Sequence, residues 1–95
     1  MTRIIVRELI WDKWNKEHIK RHGVTIDEVE VVARNILTHK KAKQERYLII
    51  GRTGSRIITV IIDRKGVGIY YPVTARDAAK KERRKVYEKE KKKIA

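Results

Sequence analysis

Hydrophobic residues recur with two different periods along this chain, and the change of period divides it into a helical first part and a sheet-forming middle. The opening "RIIVRELI", Arg3 to Ile10, mixes β-branched residues with charges and predicts a short strand. In "WDKWNKEHIKRHG" the positions Trp11, Trp14, Asn15, His18 and His22 follow at steps of three and four, the spacing of one helix face. Asp12 can cap the start of that helix, and Gly23 suits the left-handed residue that ends it. Thr25 and Glu28 then stand at capping-box spacing before an inward stripe of Ile26, Val29, Val32, Ala33 and Ile36. Only Gly23 and Val24 separate the two helices, so the pair must meet at an angle.

From Arg46 the runs "RYLIIGR", "RIITVII" and "VGIYYPVT" are β-branched and aromatic, separated by "TGS" and "DRKG", and predict three consecutive antiparallel strands. The polar link Thr38 to Glu45 reads mostly as loop. Pro72 has no amide donor, so its strand must be an edge there or irregular. Thr74 and Asp77 stand at capping spacing, predicting a last helix from there to about Glu90, fraying beyond. On that helix Ala75, Ala78, Ala79, Glu82 and Val86 form a narrow inward stripe, and a carboxylate inside it calls for an Arg or His partner. Arg76, Lys80, Arg83 and Tyr87 fall on the flank beside it. The expected architecture is α+β, with an antiparallel sheet packed by two N-terminal helices and one C-terminal helix, in a single domain over residues 1–95.

Charge changes the picture from fold to partner. The 95 residues carry 25 Lys and Arg against 12 Asp and Glu, a net charge of +13. Ten of the basic residues lie from Arg76 onward, yet the part before Arg76 is itself at +7, so the excess is not confined to a tail. Dense charge with abundant Ile, Lys and Glu also suits a heat-adapted surface, but such networks mix signs, whereas this imbalance favours a polyanion. No apolar run is long enough to span a bilayer, and "MTRIIVRELIW" is too charged for a secretory signal, which predicts a cytoplasmic protein with no membrane partner.

Absent cysteine removes thiolate metal sites and Cys nucleophiles. His18 and His22 are four apart, as a metal clamp requires, but no carboxylate pattern completes a third ligand, so neither metal nor cofactor is expected. What remains is chemistry of imidazole and cations on RNA. A base takes the proton of a ribose 2′-hydroxyl, cations stabilise charge gathering on phosphorus, and an acid protonates the leaving oxygen. His22, Glu82 and Tyr87 are the candidate proton carriers, and Arg52, Arg76 and Arg83 the candidate charge stabilisers. The same cations also serve binding without catalysis.

Four pieces of the sequence, "IWDKWNKEHIKRHGVTIDEVEVV", "ERYLIIGR", "RIITVII" and "VTARDAAKKERRKVY", resemble the BrnT family of toxins in order and spacing from about Ile10 to Tyr87. The resemblance implies a fold similar to the RelE ribonucleases and metal-independent cleavage of RNA that stops translation. It also implies neutralisation by a cognate antitoxin resembling BrnA, a ribbon-helix-helix protein that binds DNA. Residue by residue, the family's basic-His pair before Gly-Val falls on Arg21 and His22, its Gly-Arg on Arg52, its Ala-Arg on Arg76 and its Glu-Arg on Glu82 and Arg83. The resemblance therefore puts catalysis on His22, Arg52, Arg76, Glu82 and Arg83. Arg21, Lys80 and Tyr87 are the expected RNA contacts. Two departures stand out: Arg21 replaces the family's Lys, and Thr74 its Ser, the latter keeping a hydroxyl.

Overall fold

A computed structural model describes residues 4–94, with side chains to residue 92. The chain runs β1 (Glu8–Leu9), α1 (Lys13–Arg21), α2 (Ile26–Arg34), β2 (Thr38–Lys41), β3 (Arg46–Thr53), β4 (Arg56–Gly66), β5 (Ile69–Asp77) and α3 (Lys80–Ile94). The strands form one sheet in the order β1-β5-β4-β3-β2. β2 to β5 are antiparallel neighbours, and β1 lies parallel to β5 through Glu8 opposite Ile69 and Leu9 opposite Tyr70. The α+β class, the helix pair and the three central strands agree with the sequence reading.

Both N-terminal helices begin where their caps predict. Asp12 accepts from the Asn15 amide while the Asn15 side chain accepts from the Asp12 amide, each at 2.9 Å. The Asn15 amide group also donates to the Ile10 carbonyl, so this fully buried side chain ties α1 to the segment that enters it. Thr25 and Glu28 form the second reciprocal box, and Gly23 takes a positive φ of 70° at the junction.

Alternate strand positions feed two cores, one on each face of the sheet. Ile49, Ile58, Val60, Ile62 and Ala75 point to α1 and α2, where Ile19, Val29 and Val32 meet them. Ile50 and Ile57 point to the other face and pack with Ala78 and Val86 at α3. Gly51 allows α2 to sit directly on β3, since a Cβ there would come within 3.0 Å of the Asn35 carbonyl and 3.1 Å of Val32.

Five expectations need correction. The link after Thr38 is not mostly loop, because Thr38–Lys41 pairs with β3 and satisfies its backbone as an edge strand. "DRKG" is not a turn: β4 runs through it, and the reversal falls at Val67 and Gly68, where Gly68 supplies φ +74°. The first strand is shorter than "RIIVRELI", being only Glu8–Leu9 among the described residues. Residues 74–77 are strand rather than helix: Thr74, Ala75, Arg76 and Asp77 pair with Ile61, Val60, Thr59 and Ile58, so α3 begins at Lys80. α3 also continues past residue 90, to Ile94. Pro72 sits at an irregularity, where Ile61 opposes Thr74 and Ile62 opposes Pro72, leaving Val73 as an extra residue. No helix among the described residues is long and apolar enough to cross a membrane.

Replacing Asn15 by Ala strands the Ile10 carbonyl and removes half of the α1 cap, so Asn15→Ala should lower unfolding free energy by about 2 kcal/mol. Urea denaturation checks this, and a midpoint equal to that of the parent chain would refute the role given to Asn15.

Candidate functional site

Arg76 on β5 and Glu82 on the first turn of α3 meet face to face. Arg76 Nη1 donates to Glu82 Oε1 at 2.7 Å and Nη2 to Oε2 at 3.0 Å, the two-pronged geometry that guanidinium and carboxylate favour. Oε1 also accepts from the Thr59 hydroxyl at 2.9 Å and the Ala79 amide at 2.7 Å, so this one carboxylate binds β4, β5 and the start of α3. The Arg76 guanidinium, with help from Ala79 and Thr59 and against the cost of burial, holds the Glu82 carboxyl at about 2, from an ordinary value of 4.5. The expectation that Glu82 needs a cationic partner is met by Arg76, although Arg76 lies on a strand and not on the same helix.

Two helical turns further on, Arg52 of β3 repeats the arrangement. Its Nε and Nη2 donate to the Glu90 carboxylate at 2.9 and 2.8 Å, and Glu90 raises the Arg52 pKa. Glu82 and Glu90 are eight residues apart, which places the two guanidinium anchors about 12 Å apart along α3. Between them, Arg83 donates to the Ala78 carbonyl at 3.2 Å and its charge helps lower the Asp77 pKa, after the larger effect of Arg56. Tyr87 is 51% exposed and close enough to Arg52 to influence it electrostatically. Lys80, Arg83 and Tyr87 share one flank of α3, whereas Arg76, expected on that flank, lies on β5 and reaches the same layer from the sheet, as does Arg52. Each arginine keeps donors beyond those its carboxylate occupies: Arg76 retains Nε, and Arg52 retains Nη1.

Arg21 and His22 lie elsewhere. His22 caps α1 on the opposite face of the sheet, its ring edge-on to His18 at 5.5 Å. The link between the two faces is Arg56, a residue the sequence reading passed over. Its Nε donates to Asp77 at 2.7 Å, and its Nη1 to the Gly23 carbonyl at 2.8 Å and to Glu28 at 3.0 Å. Arg56 therefore clamps the α1–α2 junction, one residue from His22, to the end of β5, one residue from Arg76. The sequence signal was its place at the head of an alternating strand, two before inward Ile58.

A second omission is the groove between the β2 edge and α3, about 300 Å³, lined by Lys40, Leu48, Ile50, Lys81, Glu82 and Lys85. Lys81 and Lys85 form one wall of this groove. Among the described residues no three His, Asp or Glu side chains gather as metal ligands would.

No model of a known protein family matches the sequence, and no curated protein is significantly similar to it. Among solved structures the fold is similar to the crystal structure of the Brucella abortus ribonuclease toxin BrnT, at 25% identity and a TM-score of 0.62. The match covers 77% of this chain and 97% of the toxin's.

Glu82 binds its proton more weakly folded than unfolded. Its contribution to stability is complete above pH 4.5 and is lost as pH falls toward 2. Thermal melts across this interval should show a steep fall in the native chain and a shallower one in Glu82→Gln, which should also cost about 2 kcal/mol near neutrality. Equal acid sensitivity of the two proteins would remove Glu82 from its place as the junction of the three elements.

Proposed function

We propose that this BrnT-like chain is a ribonuclease toxin that cleaves RNA without a metal ion, inhibits translation and is neutralised by a cognate antitoxin. The observation that carries the reading is the α3 layer, where Arg52, Arg76, Arg83 and Lys80 converge beside Tyr87 in a fold similar to a ribonuclease toxin. A phosphate lying along α3 meets guanidinium donors that Glu82 and Glu90 already hold in place, so stabilising the charge that gathers on phosphorus needs little reorganisation. Arg76 and Arg83 stabilise that charge directly, with Lys80 beside them at the start of α3 and Arg52 on a phosphate further along the helix, near Glu90. Tyr87 is the phenol available to protonate the leaving oxygen, and at this open surface solvent water takes the proton released by the attacking 2′-hydroxyl.

Glu82 acts through Arg76. A carboxyl with a pKa of about 2 is a weak base and holds no proton to donate at neutral pH, so its work is to orient the guanidinium. His22 and Arg21, reached through the Arg56 clamp, take the RNA strand where it leaves the α3 layer. The antitoxin is BrnA-like, a ribbon-helix-helix protein, and the toxin acts in the cytoplasm.

One observation favours a second reading, a basic module that binds nucleic acid without cutting it. Both Arg52 and Arg76 have two donors engaged by carboxylates, which weakens their pull on phosphate. Incubating the purified protein with RNA separates the two. The toxin reading expects fragments whether or not EDTA is present, and a loss of about 100-fold or more in Arg76→Ala. Arg83→Ala breaks only one bond to a backbone carbonyl, so it should lose activity while melting like the parent. RNA left intact at equimolar protein, together with salt-sensitive binding, would replace the toxin reading with the binding one.

A further inference from the structure

At the end of the sheet away from Arg52, a hollow of about 350 Å³ opens among Trp14, Tyr71, Arg46, Lys65, Asp12 and Asp63. Arg46 opposes Asp63, which opposes Tyr71, so these residues occupy one row across β3, β4 and β5. Arg46 and Arg52 are six positions apart on β3, which sets this row about 20 Å from Arg52, and the four positions of β4 from Asp63 to Thr59 set it about 13 Å from the strand position of Arg76.

Trp14 remains 56% exposed, an unusual position for the largest apolar side chain, yet it is held firmly. His18 stacks on it, ring centres 4.8 Å apart and planes 11° apart. The capping box of Asp12 and Asn15 fixes the helical turn that carries it. Tyr71 is fixed in turn by its hydroxyl, which donates to the Asp12 carboxylate at 2.9 Å. Both carboxylates of the hollow already have partners, Asp63 in an ion pair with Lys65 at 3.1 Å and Asp12 with Asn15 and Tyr71. The guanidinium of Arg46 makes no hydrogen bond or ion pair with the described residues, and its exposed position leaves all its donors to a ligand.

We propose that this hollow is a subsite for one unpaired nucleotide of a single-stranded RNA. The base stacks on Trp14, extending the Trp14–His18 stack by one ring, with Tyr71 at its edge. Arg46 takes the phosphate, with the Lys65 ammonium beside it. Pre-fixed aromatic rings lose little entropy when a base lands on them, and stacking tolerates any base because every base offers a flat face. The proposal rests on the reading of this protein as one that engages RNA, and adds a contact away from the reacting groups. It gives the strand a second anchor at a distance of a few nucleotides.

The test is anisotropy of a fluorescent 2′-O-methyl octaribonucleotide, which lacks the attacking hydroxyl and so reports binding alone. Trp14→Ala should weaken binding about tenfold, in line with stacking on one base, and Trp14→Phe should restore most of it. Arg46→Gln should reduce the slope of log affinity against log salt by about 0.7, the share of one phosphate on a single strand. Trp14→Ala affinity within twofold of the parent, with unchanged circular dichroism, would overturn the subsite. If Arg83→Ala weakens binding in the same assay while Trp14→Ala does not, the RNA reading stands and this proposal alone falls. A parent chain that fails to bind the oligonucleotide even at low salt would overturn both.

Discussion

The Glu82 carboxylate accepts hydrogen bonds from a strand hydroxyl, a strand guanidinium and the Ala79 amide just ahead of α3, and the direction of Arg76 on that face depends on it. Without it Arg76 has no fixed direction, α3 loses the cap that starts it, and Thr59, buried at 1% exposure, has an unmet hydroxyl. The apolar contact of α3 with the sheet is small, resting on Val86, and on Ala78 just before the helix, against Ile50 and Ile57 with Leu37 and Leu48 beside them. A helix this polar, with little to bury, is held in place by polar anchors at several points. Glu82 anchors its start, Glu90 anchors it to Arg52, and Lys89 donates to the Leu37 carbonyl at 2.9 Å.

This division of labour explains how a chain at +13 folds without losing its outward field. Five of its twelve carboxylates pair with particular cations: Glu28 and Asp77 with Arg56, Glu82 with Arg76, Glu90 with Arg52 and Asp63 with Lys65. Pairing orients those guanidinium groups, and among the described residues Lys80, Lys81 and Lys85 of α3 and Lys40 and Lys41 of β2 stay exposed. The result is a surface on which positive charge is both abundant and, at a few arginines, directed. That combination suits a polymer of phosphates better than a single small anion.

The two faces of the sheet carry different tasks. α1 and α2 cover the larger core and supply most of the apolar burial, while α3 closes a smaller core and carries the cations. Arg56 joins the faces at one end by holding the Gly23 carbonyl, Glu28 and Asp77 together. The hollow lined by Trp14 lies toward the other end, at the row formed by Arg46, Asp63 and Tyr71. An extended strand passing over the molecule would therefore meet organised groups at both ends of the sheet.

Local signals in the sequence were enough for the elements whose limits are set by neighbours in the chain. The caps at Asp12 and Thr25 and the turn at Gly23 depend on contacts within a few residues and were legible, as was the existence of the three long strands, although not where β4 and β5 end. The segment from Thr74 to Asp77 was not, because its capping spacing and its alanines suit a helix start as well as a strand end. The sheet decides between them: Val60 and Ile58 offer an open ladder that residues 75 and 77 complete, and pairing there outweighs a weak local preference. The polar run of β2 became a strand for the same reason, the unpaired edge of β3 beside it. Which cation meets which carboxylate was likewise settled by tertiary structure, since Arg52 and Glu90 are 38 residues apart and no spacing rule reaches that far. Composition determined that this surface would be basic, and side-chain periodicity determined which helices and strands would carry it. Only the folded sheet, by bringing distant strands into register, determined where the charge acquires direction.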